Sequence, residues 1–406
     1  MKYVILIGDG MADRPLPELG GKTPLEAAFT PNMDKMAKEG IAGIANTLPE
    51  GLPTGSDVAN LSILGYDPAI YYTGRAPLEA ASMGIELRPG DIAFRCNLVS
   101  LRFSPDKSKA YMEDHSAGRL ETDTGHLLIR ELNRELASEK IKFYPGVSYR
   151  NVMVWSGGEA GLDCTPPHDI LGREISDYLP EGPGEDLIRG LMRDSVDIFE
   201  RHPANIERIR SGKRPANSIW LWGQGKKPEL PPFSEVYGLR GGMISAVDLT
   251  KGLGASAGLQ VINVPGATGY LNTNWAGKAE YALRALEGGL DLVYVHLEAP
   301  DEASHEGNLK EKIEAIERFD NLVAGAILRG IEEFGEYRIL TMPDHATPLQ
   351  VRTHTRDLVP FVVYDGKKKN RGADSGYNEK ISGLAGAVRI EHAHRLMGRF
   401  LKGEFD

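Results

Sequence analysis

The sequence reads as an α/β protein: a mostly parallel sheet flanked by helices, into which a second, α+β domain is inserted. Three observations carry this reading. Continuous apolar runs recur at 3–7 (YVILI), in 291–301 (DLVYVHLEAPD), in 337–345 (YRILTMPDH) and at 359–365 (VPFVVYD), and each closes on acidic or histidine residues. Helical patterns separate these runs, as a βα alternation requires. From roughly residue 77 to residue 240 the grammar changes to longer, antiparallel-looking strands.

Taken in order, the run 3–7 is apolar at every position, which suits a strand buried on both faces of a parallel sheet. Gly8-Asp9-Gly10 closes it and leaves Asp9 at its C-terminal end. In TPNMDKMAKEG, Thr30 stands as N-cap, Pro31 at the first helical position and Gly40 just past the end. In GLPTGSDVANLSILGYDP (51–68), Gly51, Pro53 and Gly55 deliver Ser56 to the start of an apolar helix. Serine there has two readings. It is a preferred helix cap, or, beside free N–H groups and a positive dipole end, it is a nucleophile that receives a phosphate once a base or metal lowers its pKa.

The middle segment is expected to hold strands at 92–103, 151–158 and 217–225, helices at 119–139 and near 185–201, and a Pro/Gly-rich loop at 161–184. The C-terminal third adds helical patterns near 308–333 and 380–402. The expected organisation is a core of 1–76 and 241–406 with an inserted substrate-binding or lid domain of 77–240. Hinges are expected near 75–80 and 238–242, where Gly241-Gly242 gives the backbone freedom.

At 406 residues, with 41% hydrophobic and 26% charged residues, the chain can bury a large core. Its 47 Lys and Arg against 57 Asp and Glu leave a net charge of −10, which argues against nucleic acid or an anionic membrane as the main partner. Cys96 and Cys164 form no closely spaced pair, and neither a signal segment nor an apolar stretch of membrane length occurs. A cytoplasmic, reducing setting follows. Oligomeric state leaves no signature.

The strand ends collect hard-metal ligands: Asp9, Asp301 and His305 four residues apart in PDEASH, Asp344 and His345, and His354 nine residues on. Open parallel sheets bind ligands beyond their strand C-termini. Carboxylate and imidazole without thiolate suit Mn²⁺, Zn²⁺ or Mg²⁺. Two such ions about 3.5–4 Å apart form the usual clamp for in-line phosphoryl displacement and would activate Ser56. Basic residues beside glycines, Arg75 in YTGRAP, Arg119 in HSAGRLE and Lys278 in NTNWAGKAE, are candidates for substrate phosphate or carboxylate. His115 and His168 are candidates for protonating a substrate hydroxyl.

In this order, Asp9, the Ser56 loop, Asp301-x-x-x-His305, Asp344-His345 and His354 resemble the alkaline phosphatase superfamily. GDGMADRP, KTPLEAA, TPNMDKMAKEG, GSDVANLSILGYDP, YTGRAPLEA, PGATGYLNTNWAGKAE and DHATP resemble, over nearly the whole chain, the archaeal-type cofactor-independent phosphoglycerate mutases. The resemblance implies an alkaline phosphatase-like core and a transiently phosphorylated Ser56. It implies one metal on Asp9, Ser56, Asp344 and His345 and another on Asp301, His305 and His354, with Mn²⁺ expected ahead of Zn²⁺, Co²⁺ or Mg²⁺. The partner it implies is a small phosphorylated substrate held by the inserted domain. One departure stands out, Asn60 where the family carries a histidine four residues after the nucleophile. A bacterial branch with similar motifs, proposed to phosphorylate homoserine, supplies the alternative reading. An ATP-dependent kinase or phosphatase on the same site and a non-catalytic metal-stabilised protein complete the field, although no GxxxxGK[ST] loop occurs.

Overall fold

The computed structural model describes residues 1–369 and 372–405. The chain divides into one unit of Met1–Tyr72 with Glu229–Asp406 and another of Thr73–Pro228. In chain order the strands are β1 Lys2–Gly8, β2 Ile41–Ala45, β3 Asp91–Phe103, β4 Ala110–Asp114, β5 Ile141–Tyr144, β6 Arg150–Ser156, β7 Ser218–Lys226, β8 Gly241–Ile244, β9 Gln260–Val261, β10 Leu292–Leu297, β11 Tyr337–Met342, β12 Val359–Asp365 and β13 Val388–Ile390.

The first unit is built on an eight-stranded sheet of order β13-β2-β12-β11-β1-β10-β8-β9. β1 lies at its centre, parallel to both β10 and β11. Val4, Ile5, Leu6 and Ile7 are all 0% exposed, so both faces of β1 are covered, as its unbroken apolar run requires. In register, Gly8 pairs with Leu297 and Ile7 with Met342, so the three central strands end level. Asp9, the helix start at Glu298–Asp301 and Asp344-His345 therefore leave the sheet along one edge. β12 runs antiparallel to β11 and to β2, because the chain after β11 returns from that edge without crossing to the opposite one.

The second unit is an antiparallel sheet of order β4-β3-β6-β5 with β7 also paired to β3. The helices Thr122–Leu136 and Glu185–Glu200 supply Leu128, Ile129, Leu132, Ile188 and Leu191 to its core. β3 and β7 slip register between Ala93 and Arg95, a bulge that bends β7 at Gly223.

Several expectations change. The unit boundaries fall at 72/73 and 228/229 rather than 76/77 and 240/241. Thr73 Oγ1 already donates to the Lys226 carbonyl, which ties 73–76 to β7, while Tyr66 and Tyr237 hydrogen-bond Pro231 and Gly65 and tie 231–237 to the first unit. Gly241 and Gly242 are not hinges. They lie buried in β8, where a Cβ would meet Leu259 at 2.5 Å and Ile262 and Leu290 at 2.7 Å, so their small size serves packing. The segment 75–80 lies inside the second unit, where 76–82 is helical. Thr30 occupies the N-cap position without capping; Asp320 does so, accepting from Asn32 N at 3.2 Å and Met33 N at 2.7 Å. The expected helix at 380–402 is α-helical only over Leu396–Lys402, after the strand Val388–Ile390. No helix among the described residues is long and apolar enough to cross a membrane.

Candidate active site

The six strand-end residues and Ser56 come together at one edge of the core sheet. Asp9 Oδ1 lies 3.3 Å and Asp344 Oδ2 3.6 Å from His345 Nε2. Asp301 Oδ2 lies 3.0 Å from His305 Nε2, its Oδ1 3.5 Å from His354 Nε2, and the two Nε2 atoms are 3.1 Å apart. The rings of His345 and His354 stack at 3.9 Å. Gly10 makes this approach possible: its φ is 60°, and a Cβ there would come within 2.4 Å of Asp301 Oδ1.

Ser56 is the first residue of the helix Ser56–Ile63 and caps nothing. Its Oγ lies 3.0 Å from His345 Nε2. Asn60, one turn on, donates from Nδ2 to the Ser56 carbonyl at 2.7 Å and to Asp344 Oδ2 at 2.8 Å, while its Oδ1 accepts from Tyr294 at 2.5 Å. It thus ties the helix that starts at Ser56 to the Asp344 carboxylate.

Three imidazoles are oriented alike. His305 Nδ1 donates to the Arg352 carbonyl at 2.9 Å and His354 Nδ1 to the Thr54 carbonyl at 3.0 Å. Thr347 spends its hydroxyl proton on Asp301 Oδ1 at 2.5 Å, so at 3.1 Å it accepts from His345 Nδ1. Each Nε2 is left facing the carboxylates, the arrangement that outer partners impose on metal-binding histidines. At His345 the consequence is acceptor facing acceptor. Asp9 Oδ1 is buried without a hydrogen-bond partner. Burial, then the charges of Asp344 and Asp301, raise the Asp9 carboxyl well above its ordinary range. Burial pushes His345 down to about 4, whereas at His305 it is outweighed by the hydrogen bond and charge of Asp301, which bring that ring to about 9. A buried carboxylate oxygen without a donor, facing a lone-pair imidazole nitrogen, suits a divalent cation. Ligand atoms of Asp301, His305 and His354, and separately of Asp9, Asp301 and His345, lie within 4.8 Å of one another.

Sequence reasoning missed His296 and Glu298. Buried at 0% and 2%, they approach the same carboxylates: His296 Nε2 is 3.3 Å from Asp9 Oδ2 and 3.8 Å from Asp344 Oδ2, and Nδ1 is 3.2 Å from Glu298 Oε1. The available signal was a histidine interrupting the apolar run LVYVHL.

Lys278 corrects an expectation. It is fully buried and donates to Glu298 Oε2 at 2.8 Å and the His296 carbonyl at 2.7 Å, which leaves it bound within the core rather than presented to a substrate anion.

The other candidates lie in the second unit. Arg75 and Arg95 stand over the Trp222 ring at 5.6 and 4.6 Å, and His168 meets its edge at 5.4 Å. His115 lies 6.1 Å from His168, its pKa lowered chiefly by burial. Gly223 permits this: its φ is 62°, and its Cβ position lies 3.4 Å from the Arg75 stem. Arg95 also pairs with Glu79 at 3.1 Å, and burial above all lowers it to about 10. Arg119 is exposed, at the end of a left-handed run of Ala117 (φ 49°), Gly118 (69°) and Arg119 (53°). Asp114 pins that run by accepting from Ser116 N at 2.8 Å and Gly118 N at 3.0 Å. Backbone of this kind costs about 1–3 kcal/mol per strained residue and persists where its surroundings over-determine it.

Residues 37–205 match a family model described as 2,3-bisphosphoglycerate-independent phosphoglycerate mutase. A probable 2,3-bisphosphoglycerate-independent phosphoglycerate mutase of Geobacter sulfurreducens is 52% identical over 401 residues, covering 99% of this chain and 100% of the relative. A protein of that name from Methanosarcina acetivorans is 51% identical over 408 residues, covering 99% and 100%. A solved structure of a Pyrococcus horikoshii protein superposes with a TM-score of 0.81 at 31% identity, covering 99% of this chain and 96% of that one.

Proposed function

The chain belongs to the 2,3-bisphosphoglycerate-independent phosphoglycerate mutase family, and we propose that it interconverts 3-phosphoglycerate and 2-phosphoglycerate by parking the phosphoryl group on Ser56. The observation that carries this is the Ser56 hydroxyl at the start of a helix, capping nothing, 3.0 Å from the Nε2 of a histidine whose Nδ1 is already bonded. Asp9, Ser56, Asp344 and His345 would hold one divalent cation and Asp301, His305 and His354 a second, with Mn²⁺ our first choice. Such ions neutralise charge on a transferring phosphoryl group and lower the pKa of a hydroxyl beside them.

The remaining work belongs to the chain. The bond from phosphorus to the substrate oxygen breaks as the bond to Ser56 Oγ forms, and the serine proton ends on the glycerate oxygen released. The reverse exchange at the neighbouring hydroxyl regenerates Ser56. No external phosphoryl donor enters the balance. Free N–H groups at the helix start favour the anionic group on Ser56, and Asn60 holds that helix against Asp344. In the inserted unit, Arg75 and Arg95 over Trp222 are suited to the carboxylate or phosphate of the substrate, with His115 and His168 beside them and Arg119 on its pinned loop. The homoserine alternative is not favoured: the full-length relatives at about half identity carry the mutase name, and Asn60 has a structural role that needs no change of substrate.

The test is phosphorus NMR of 3-phosphoglycerate with enzyme and Mn²⁺, without ATP and without 2,3-bisphosphoglycerate. Equilibration with 2-phosphoglycerate is expected. No conversion there, with O-phosphohomoserine formed from ATP and homoserine, would replace this reading by its alternative.

A further inference from the structure

His296 repeats, on a strand, the orientation of the three loop and helix histidines. Glu298 is a buried carboxylate paired with the equally buried Lys278 ammonium. It accepts from Lys278 Nζ at 2.8 Å, Ser245 Oγ at 2.8 Å, Ala246 N at 2.8 Å and Val247 N at 3.3 Å. An ionised carboxylate so surrounded can only accept, so at the 3.2 Å contact the proton sits on His296 Nδ1. Nε2 then points into the space between Asp9 and Asp344, and it is a fully buried nitrogen with no hydrogen-bond partner. Ligand atoms of Asp9, His296 and Asp344 lie within 4.8 Å of one another.

We infer that His296 is a fourth nitrogen ligand of the centre, binding through Nε2 a divalent cation that Asp9 and Asp344 also hold. Glu298 and Lys278 are its positioning residues: the lysine keeps the glutamate ionised, and the glutamate fixes the ring and its tautomer, the carboxylate–histidine–metal arrangement that strengthens an imidazole ligand. This accounts for a buried Lys278–Glu298 pair, 0% and 2% exposed, that touches neither nucleophile nor solvent. It also sets His296 apart from an ordinary core histidine, whose second nitrogen would be bonded. The inference rests on the reading that the strand-end carboxylates hold divalent cations.

The experiment is NMR of the full-length protein labelled with ¹⁵N-histidine and loaded with ¹¹³Cd²⁺, which splits the signal of each coordinated ring nitrogen. Of the ten histidines, four are expected to show split Nε2 signals: His296, His305, His345 and His354. The fourth is assigned by its loss in His296→Gln or, if that variant does not fold, by the through-space contact of its Nδ1 proton with Glu298. His296→Gln is further expected to weaken one class of bound cation at least about tenfold by calorimetry, and Glu298→Gln to weaken the same class less. Three split signals with His296 unsplit would overturn this inference and leave the metal reading standing. No split signal at all would overturn both.

Discussion

Asp9 and Asp13 leave the same strand four residues apart and are buried to 4% and 6% exposure, yet their surroundings are opposite. Asp13 receives a complete set of partners from the protein: Lys312 Nζ at 2.8 Å, Leu349 N at 3.1 Å and Arg14 N at 2.7 Å. Lys312, itself 0% exposed, also donates to the Thr347 carbonyl at 3.0 Å. Asp9 meets two imidazole nitrogens and has one oxygen without a donor. Where the chain supplies the cation, a buried aspartate is a structural strut; where it withholds one, the carboxylate is left able to take a cation from solution. The second unit inverts the sign, gathering Arg75 and Arg95 on an indole face suited to an anion.

The largest expected effect separates the two aspartates. Ser56→Ala and Asp9→Asn should each lower mutase turnover by about a thousandfold or more, the scale of losing a covalent step or its electrostatic support. In chelator, thermal unfolding of Asp9→Asn should come at or above the wild-type temperature, because a buried carboxylate crowded by Asp344 and Asp301 is relieved. A clearly lower melting temperature would show that Asp9 is a strut after all, and the contrast would collapse. Mass spectrometry of acid-quenched wild type should place phosphate on Ser56.

Lys312→Met should do the reverse. Removing one partner of a fully buried pair costs about 3–5 kcal/mol, read as a lower urea midpoint, while turnover per folded molecule falls far less than in Asp9→Asn. The double change Lys312→Met with Asp13→Leu should recover much of that stability, since a buried pair replaced whole costs little.

Smaller still is the effect expected in the cationic cluster. Arg75→Ala should lower kcat/KM about tenfold to hundredfold, the worth of one charge-assisted hydrogen bond of about 1.5–3 kcal/mol. Divalent cation affinity by calorimetry should stay unchanged. A parallel loss of cation affinity would mean that Arg75 does not act through substrate.

The last effect is a slope. Glu379 accepts from Asp13 N at 3.0 Å and from Thr23 Oγ1 at 2.6 Å, and burial raises its carboxyl to about 7, against an ordinary value near 4.5. Between those values the folded chain holds a proton that the unfolded chain has released, so this group's contribution to stability falls as pH rises from about 4.5 to about 7 and is flat outside that window. Glu379→Gln should therefore gain on wild type across it, by about 1–3 kcal/mol in urea titrations run at pH 5 and pH 8. Parallel stability curves for the two proteins would show that the Glu379 carboxyl titrates alike in the folded and unfolded chain.

How much of this was legible follows the range of the forces involved. Apolar runs with charged ends marked β1, β10, β11 and β12 because burial on two faces leaves no position for a polar residue until the strand stops. Direction was not legible for β12, since its seven residues read alike in either orientation and only the return of the chain beside β11 reversed it. Thr30 looked like a cap because capping is a local preference, yet Asp320, nearly three hundred residues away in sequence, does the capping. Gly241-Gly242 looked flexible because a glycine's freedom is local, while Leu259, Ile262 and Leu290, which forbid anything larger there, arrive from elsewhere in the chain. Lys278 looked like a substrate contact because a lysine beside a glycine carries no mark of burial.

By itself the sequence determined the residue types at the strand ends: hard-metal ligands, a serine at a helix start, and no thiolate among them. These follow from composition and periodicity along a few residues, where local sterics and chemistry suffice. Only the tertiary structure decided which buried charges are neutralised from within. Lys312 reaches Asp13 and Lys278 reaches Glu298, while Asp9, Asp301 and Asp344 face imidazoles. That choice rests on side chains brought within 3–4 Å across hundreds of residues, in a dry interior where a missing donor is costly and a cation is the remedy.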